Sequence, residues 1–411
     1  MTRLLAVLCC SILALSAKAD PVQDALTGNV GDGTLTASLS ALNTHLEANP
    51  NDDRARLALG LLRIVKTGED SAQWLYTYGA GNPARAAGGF VFPMLSAIPG
   101  NPDPARITYQ DIDTFFETWM QDLREADEIL AQIKDGNLKL EVDLAKLRLD
   151  LNGNGIASDN EMAGVAFSIL FNGGRPRGED VPSFVVAADR ADVEWLRAYC
   201  NVFLAFGEMH LAHDHRELFE RVGHVVFPNI ETPHEYLRGR SVFDPTMTGL
   251  DVTDIIALVH LLRFPVDEPA RMATAREHWL RAIGHSRVMW THALVETDND
   301  REWLPNPNQD AAMRNFEMTD ERIKLWHDLL ADTEDALNGE KLVRFWRGDG
   351  TTGINLKRVF EEPQTFDLIL WIQGSAASDY LEEGELTRDF LWRDFEDAFG
   401  HRPFRYIFYV N

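Results

Sequence analysis

Between Asp150 and Glu161 the chain places an oxygen donor at every second position and then closes with a carboxylate. Asp150 offers a carboxylate, Asn152 and Asn154 offer amide oxygens, and Ser158 offers a hydroxyl or a bridging water. Ile156 has no side-chain donor, so its position would use the backbone carbonyl. Glu161 can supply two oxygens at once. Such a set suits a hard divalent cation. Calcium takes six to eight oxygens at about 2.3–2.6 Å and tolerates mixed geometry. Gly155 stands where the chain must turn sharply, a place that favours a residue without a Cβ.

In register and composition these residues resemble the loop of EF-hand calcium-binding proteins. Their ligands stand at positions 1, 3, 5, 7, 9 and 12, with glycine at 6. The resemblance covers the loop and its flanks, under a tenth of the chain. It implies calcium as cofactor, with Asp150, Asn152, Asn154, Ile156, Ser158 and Glu161 as ligands. It also implies a helix-loop-helix over 140–171. Val142, Leu144, Leu147 and Leu149 would form the entering helix, and Met162, Val165, Ile169 and Leu170 the exiting one. Asparagines at positions 3 and 5 lower the ligand charge and weaken the expected affinity. Extracellular modules work at about 10⁻⁴–10⁻³ M. Ala157 replaces the larger residue that normally pairs with a partner loop, and no second loop of this pattern is present. A lone loop of this type is expected to clamp the structure rather than sense calcium.

Two further constellations carry metal-binding chemistry. His210, His213, Asp214 and Glu217 are spaced i, i+3, i+4 and i+7, one face of a continuing helix. Imidazoles and carboxylates so placed could ligate zinc, which makes a metal-assisted hydrolase the alternative function. The bland reading is a helix end whose last carbonyls and dipole the histidines satisfy. Glu296, Asp298, Asp300 and Glu302 alternate in a loop ending at Trp303 and Pro307, and could hold a second cation or simply be solvated. This segment and Phe366–Gly374 resemble exported bacterial proteins without assigned activity. His278, His285 and His292 recur every seven residues, about 10 Å apart on a helix, too far to share one ion. Gly348–Gly353 has phosphate-loop spacing but lacks the lysine that would reach a phosphate. Cys200 lies in an apolar segment without basic neighbours and reads as an inert core thiol.

The elements that must position these groups read mostly as helices. Leu35–Glu47, Arg54–Val65, Tyr109–Ile133, Val193–Leu211, Asp254–Leu262, Pro269–Thr291, Asp320–Leu337 and Asp389–Phe399 carry helical spacing or caps. Val193–Leu211 is apolar nearly all round and is expected at the centre. Phe366–Trp371 and Arg405–Val410 read as short strands. The expectation is an all-α, irregular multi-helix fold forming one large domain over 20–411. Leu46–Gly60 resembles half of a tetratricopeptide unit, but no second copy follows. The hairpin Leu35–Val65 could still serve as a partner surface.

Residues 1–19 read as a signal peptide: Arg3, an apolar run, then Ala17-Lys18-Ala19. Its removal would leave Cys200 as the only cysteine, hence no internal disulfide, in a periplasmic or secreted chain. It would also leave 37 basic against 64 acidic residues. So negative a field repels nucleic acid and anionic membranes and attracts cations. No later stretch has the length of a membrane span. The expected function is an exported calcium-binding helical protein with a binding or scaffold role.

Overall fold

The computed structural model describes residues 20–80, 98–165, 168, 180–239, 252–313, 316–347 and 350–388. The expected signal peptide, most of the exiting helix past 165, Gly348-Asp349, and the elements at 389–399 and 405–410 lie outside these residues.

Side-chain caps set where the N-terminal helices begin. Asp20 caps α1 (Pro21–Leu26), Thr34 caps α2 (Leu35–Ala48) and Asp52 caps α3 (Asp53–Thr77), each accepting from a first-turn amide. α3 runs a dozen residues past Val65. Gly68 within it costs about 1 kcal/mol of helix propensity, and burial of Leu57, Leu62 and Ala72 on the same helix offsets that cost. α4 (Tyr109–Leu130) opens on a capping box in which Thr108 and Asp111 satisfy each other's amides. The chain next forms β1 (Leu140–Asp143), which pairs antiparallel with β2 (Val185–Ala188), Leu140 opposite Ala188.

α5 (Arg190–Leu211) starts at a second capping box, Asp189 with Asp192. It lies between α4 and a long later helix, α8 (Pro269–Ala293), which packs along much of its length. Its centrality matches expectation, but its polarity does not. Asp192, Glu194, Asn201 and Glu208 are all buried on it, and Phe206 is exposed. Each of these buried groups has a partner. Glu194 meets Arg190 and His285, Asn201 meets His278, and Glu208 meets Arg124 and Arg271. α6 (Arg216–Val222) and α7 (Val252–His260) precede β3 (Arg263–Phe264), and α9 (Asp320–Asn338) follows α8. β4 (Val343–Arg344), β5 (Thr352–Ile354) and β7 (Leu381–Glu383) form a small sheet in the order β4-β5-β7. α10 (Leu356–Glu361) lies between its strands.

The strand expected over Phe366–Trp371 is only two residues long. β6 (Phe366–Asp367) pairs with β3, and then Asp367 caps α11 (Leu368–Gln373) by accepting from the Leu370 amide at 3.0 Å. The side chain that ends the ladder starts the helix.

One core joins α1, α2, α3, α4, β1 and α5 through Val22, Leu42, Leu57, Leu62, Leu130, Leu140 and Val193. A second joins α8 and α9 through Met289, Trp290, Trp326 and Leu330. The architecture is an irregular assembly of helices with a few short strands, as the sequence implies. Among the described residues no helix is long and apolar enough to cross a membrane.

Candidate metal centre

The loop Asp150–Glu161 does not lie between two helices. The expected entering helix is replaced by β1, a single 3₁₀ turn over Leu144–Lys146, and extended chain to Leu149. The physical reason is the periodicity of burial. Leu138, Leu140 and Val142 are buried alternately, and so are Leu147 and Leu149 on either side of exposed Arg148. Arg148 forms an antiparallel bridge with Met162, and the Ala163 amide donates to the Leu147 carbonyl at 2.9 Å. The loop is therefore pinched at its base by a strand-like neck.

Inside the neck the side-chain oxygens turn inward. Asp150 Oδ1 accepts from the Asn154 amide at 3.1 Å, and Oδ2 accepts from the Gly155 amide at 2.7 Å. Asn152 Oδ1 converges on the same Asn154 amide at 3.0 Å, and Asn154 Oδ1 accepts from the Ile156 amide at 2.8 Å. Glu161 reaches back across the loop. Its Oε1 accepts from the Leu151 amide at 3.1 Å, and its Oε2 accepts from the Ser158 hydroxyl at 2.6 Å. The Ile156 side chain points to solvent at 64% exposure, as a residue contributing only its carbonyl can. Gly153 and Gly155 take left-handed φ angles of 71° and 80°, which strain any residue with a Cβ.

Asp150 and Glu161 are buried at 6% and 7% exposure. Among the described residues neither forms an ion pair. The nearby guanidinium of Arg148 is engaged with Asp159 on the rim, at 3.0 Å. Two buried carboxylates in one small loop without a cation are costly unless something neutralises them.

α3 holds the loop from behind. Glu69 accepts from the Asp150 amide at 2.6 Å, and Gln73 donates to the Asp150 carbonyl at 2.7 Å. Burial raises the Glu69 carboxyl above its usual range, against the pull of that amide and of Lys66. Sequence reasoning missed both anchors, because about eighty residues separate them from the loop and no local pattern marks them.

The histidine cluster does not assemble. α5 ends at Leu211, and α6 does not begin until Arg216, so the i+4 and i+7 spacings no longer share a face. His213 Nδ1 lies 2.8 Å from the Met209 carbonyl, Asp214 accepts from the Arg216 amide, and Glu217 pairs with Arg221. The expectation of a zinc hydrolase at His210 and His213 is set aside on this geometry. His210 instead stacks between Phe116, at 3.9 Å, and His215, at 4.3 Å. Burial lowers His210 to about 3 and His215 to about 4. Groups depressed below the ordinary 6.5 add stability that is present above pH 6.5 and lost as pH falls toward 3. His210→Phe keeps the stack. It is expected to leave stability at pH 7 within about 1 kcal/mol and to shrink the loss between pH 7 and pH 4 by roughly 1–2 kcal/mol. Urea unfolding at the two pH values measures both numbers.

The acidic loop is more than a solvated face. Asp189, Glu296 and Glu302 bring carboxylate oxygens within 4.8 Å of one another, as do Asp298, Asp300 and Glu302. The ammonium of Lys139 stands among them, 2.8 Å from Asp298, 3.2 Å from Asp300, 3.4 Å from Asp189 and 3.8 Å from Glu302. In the outer group the lysine takes the place a metal would occupy. In the inner group Glu296 and Glu302 hold their protons more tightly than free carboxyls do. Burial, with the charge and hydrogen bond of Asp189, raises Glu296 to about 9, and burial raises Glu302 to about 7. Asp192 is also pushed well up by burial and by Asp189. The loop reaches this position through Arg301, whose φ is 77°. Its carbonyl accepts from Ala187, and its guanidinium meets Glu141 at 2.6 Å.

His278 and His285 are hydrogen-bonded to Asn201 and Glu194, and His292 is half-buried, so the seven-residue stripe is structural. Burial raises the Cys200 thiol far above its usual range, which leaves it unreactive. Searches of protein-family models, curated proteins and solved structures found no match for this chain.

Proposed function

We propose that the chain is an exported helical protein of binding or scaffold type, stabilised by one calcium ion in the Asp150–Glu161 loop. The observation that carries this reading is the pair of buried, inward-turned carboxylates of Asp150 and Glu161, which among the described residues have no cationic side chain to neutralise them. The backbone amides they accept from supply only partial charge. A divalent ion would add the missing positive charge and draw on the oxygens of Asn152, Asn154, Ser158 and the Ile156 carbonyl.

The neck and the two contacts to α3 support a clamp rather than a switch. The loop is fixed at its base by the Arg148–Met162 bridge and at its back by Glu69 and Gln73. Closing it tightens the junction of α3 with β1, next to the core through Leu147, Leu149 and Leu151. Export is proposed from residues 1–19. It fits a site of low ligand charge, since calcium outside the cytosol reaches the concentrations such sites need.

Thermal melting tests the reading. At calcium a hundredfold above Kd, binding adds about 2.7 kcal/mol, so the melting temperature is expected to rise roughly 3–5 °C over that in EDTA. Asp150→Ala is expected to abolish the rise. An identical melting temperature in about 0.1 M calcium and in EDTA at matched ionic strength would contradict the proposal.

A further inference from the structure

α3 and α4 enclose a cleft of about 280 Å³ that plays no part in the loop. It is built from one stripe of each helix: Thr67, Asp70, Ser71 and Trp74 on α3, and Thr114, Phe115, Thr118, Trp119 and Asp122 on α4. Its floor is aromatic. Trp74 lies 4.7 Å from Phe115, with ring planes tilted by 32°.

The hydroxyls on its walls have spent their protons. Thr67 donates to the Arg63 carbonyl, Ser71 to Thr67, Thr114 to Gln110 and Thr118 to Thr114, each four residues back. Toward the cleft they offer only lone pairs. The carboxylates at its ends add acceptors and negative charge. Asp111 at one end is engaged by Thr108 and Tyr78. At the other end Asp70 pairs with Lys66, while half-buried Asp122 has no hydrogen bond or ion pair among the described residues. Arg63 and Lys66 are nearby, but they are held by Glu125 and by Glu69 with Asp70. Burial and the charge of Asp70 raise the Asp122 carboxyl above its usual range, against the pull of the Arg63 and Lys66 charges.

An apolar floor, acceptors on the walls and an unengaged carboxylate at one end exclude an anion and give a neutral apolar molecule no partner for that charge. Aromatic faces attract cations, and an ammonium group donates three hydrogen bonds. We propose that this cleft binds a small organic primary ammonium ion, its charged end against Asp122 and its apolar body on Trp74, Phe115 and Trp119. The volume admits a ligand near the small end of the range typical for such sites.

The test uses the full chain and 2-phenylethylammonium chloride as probe, with 2-phenylethanol as its neutral counterpart. Tryptophan fluorescence and calorimetry report binding, in EDTA and again in calcium. The EDTA series decides this proposal, so it stands or falls apart from the calcium reading. The ammonium is expected to bind at least tenfold tighter than the alcohol. Asp122→Asn, nearly isosteric and checked by circular dichroism, is expected to bring that ratio to about one. Trp74→Leu is expected to weaken both probes. Equal affinity of the two probes for the wild type, binding by neither, or an unchanged ratio in Asp122→Asn would overturn the proposal.

Discussion

Lys139→Met is expected to destabilise the protein by about 3 kcal/mol at pH 8 and by much less at pH 5. Lys139 is the ammonium shared by Asp189, Asp298, Asp300 and Glu302, and Asp189 and Glu302 are buried. Removing one partner of a buried ion pair is normally worse than never having had it, because the other charge is stranded. Here the stranded groups have a second option, which is to take up protons. Glu302 at about 7 and Glu296 at about 9 already lie above the ordinary 4.5. A carboxyl raised in the folded state adds stability that is complete below pH 4.5 and is lost as pH rises through its folded value. The wild type should therefore weaken from pH 5 to pH 9. Methionine keeps the length of the lysine stem but not its charge, so the variant should weaken far more steeply over the same range. Urea unfolding of both proteins at pH 5 and pH 8 reads the difference. An equal loss at both pH values would mean that Lys139 acts by packing rather than charge.

Glu161→Gln is expected to lower calcium affinity on the order of 100-fold while leaving the fold intact. Glutamine keeps an oxygen in position to accept from the Leu151 amide, so the reach across the loop can persist. It removes one of the two full negative charges among the candidate ligands and one of the two oxygens a bidentate carboxylate offers. Asn152 and Asn154 are neutral and Asp159 is paired with Arg148, so half of the ligand set's side-chain charge disappears with one atom exchange. Glu161→Asp should be nearly as damaging for a different reason, because the shorter side chain retracts from the Leu151 amide. Calcium titrations of the two variants separate charge from reach.

How far the sequence could be read depended on distance along the chain. The donor set from Asp150 to Glu161 is contiguous, so it was visible. The caps at Asp52, Thr108 and Thr319 act within three residues, and the helices they start lie close to where the spacing put them. The entering helix failed because Leu144 and Leu147 fit a helical spacing. The alternation Leu138-Leu140-Val142 that outweighed it draws its partner from Val185–Ala188, more than forty residues on. The histidine cluster failed because its spacing held only if α5 continued. The chain instead leaves the helix at Ala212, and the Asp214 amide donates to the Pro265 carbonyl. The Lys139 hub was half legible. The alternating acids at 296–302 stood out, but the lysine that neutralises them is about 160 residues away, as the hydrogen bond from Lys139 to Asp300 across the fold shows. The α3–α4 cleft had no signature at all, since it arises from two ordinary helix stripes brought face to face.

Isothermal calorimetry with calcium on the wild type and on an Asp150→Ala, Glu161→Gln double variant tests the central claim most directly. The expected result is one ion per wild-type chain, with an affinity of about 10⁻⁴–10⁻³ M, and no binding to the double variant. Absence of heat with the wild type, or the same isotherm for both proteins, would contradict it.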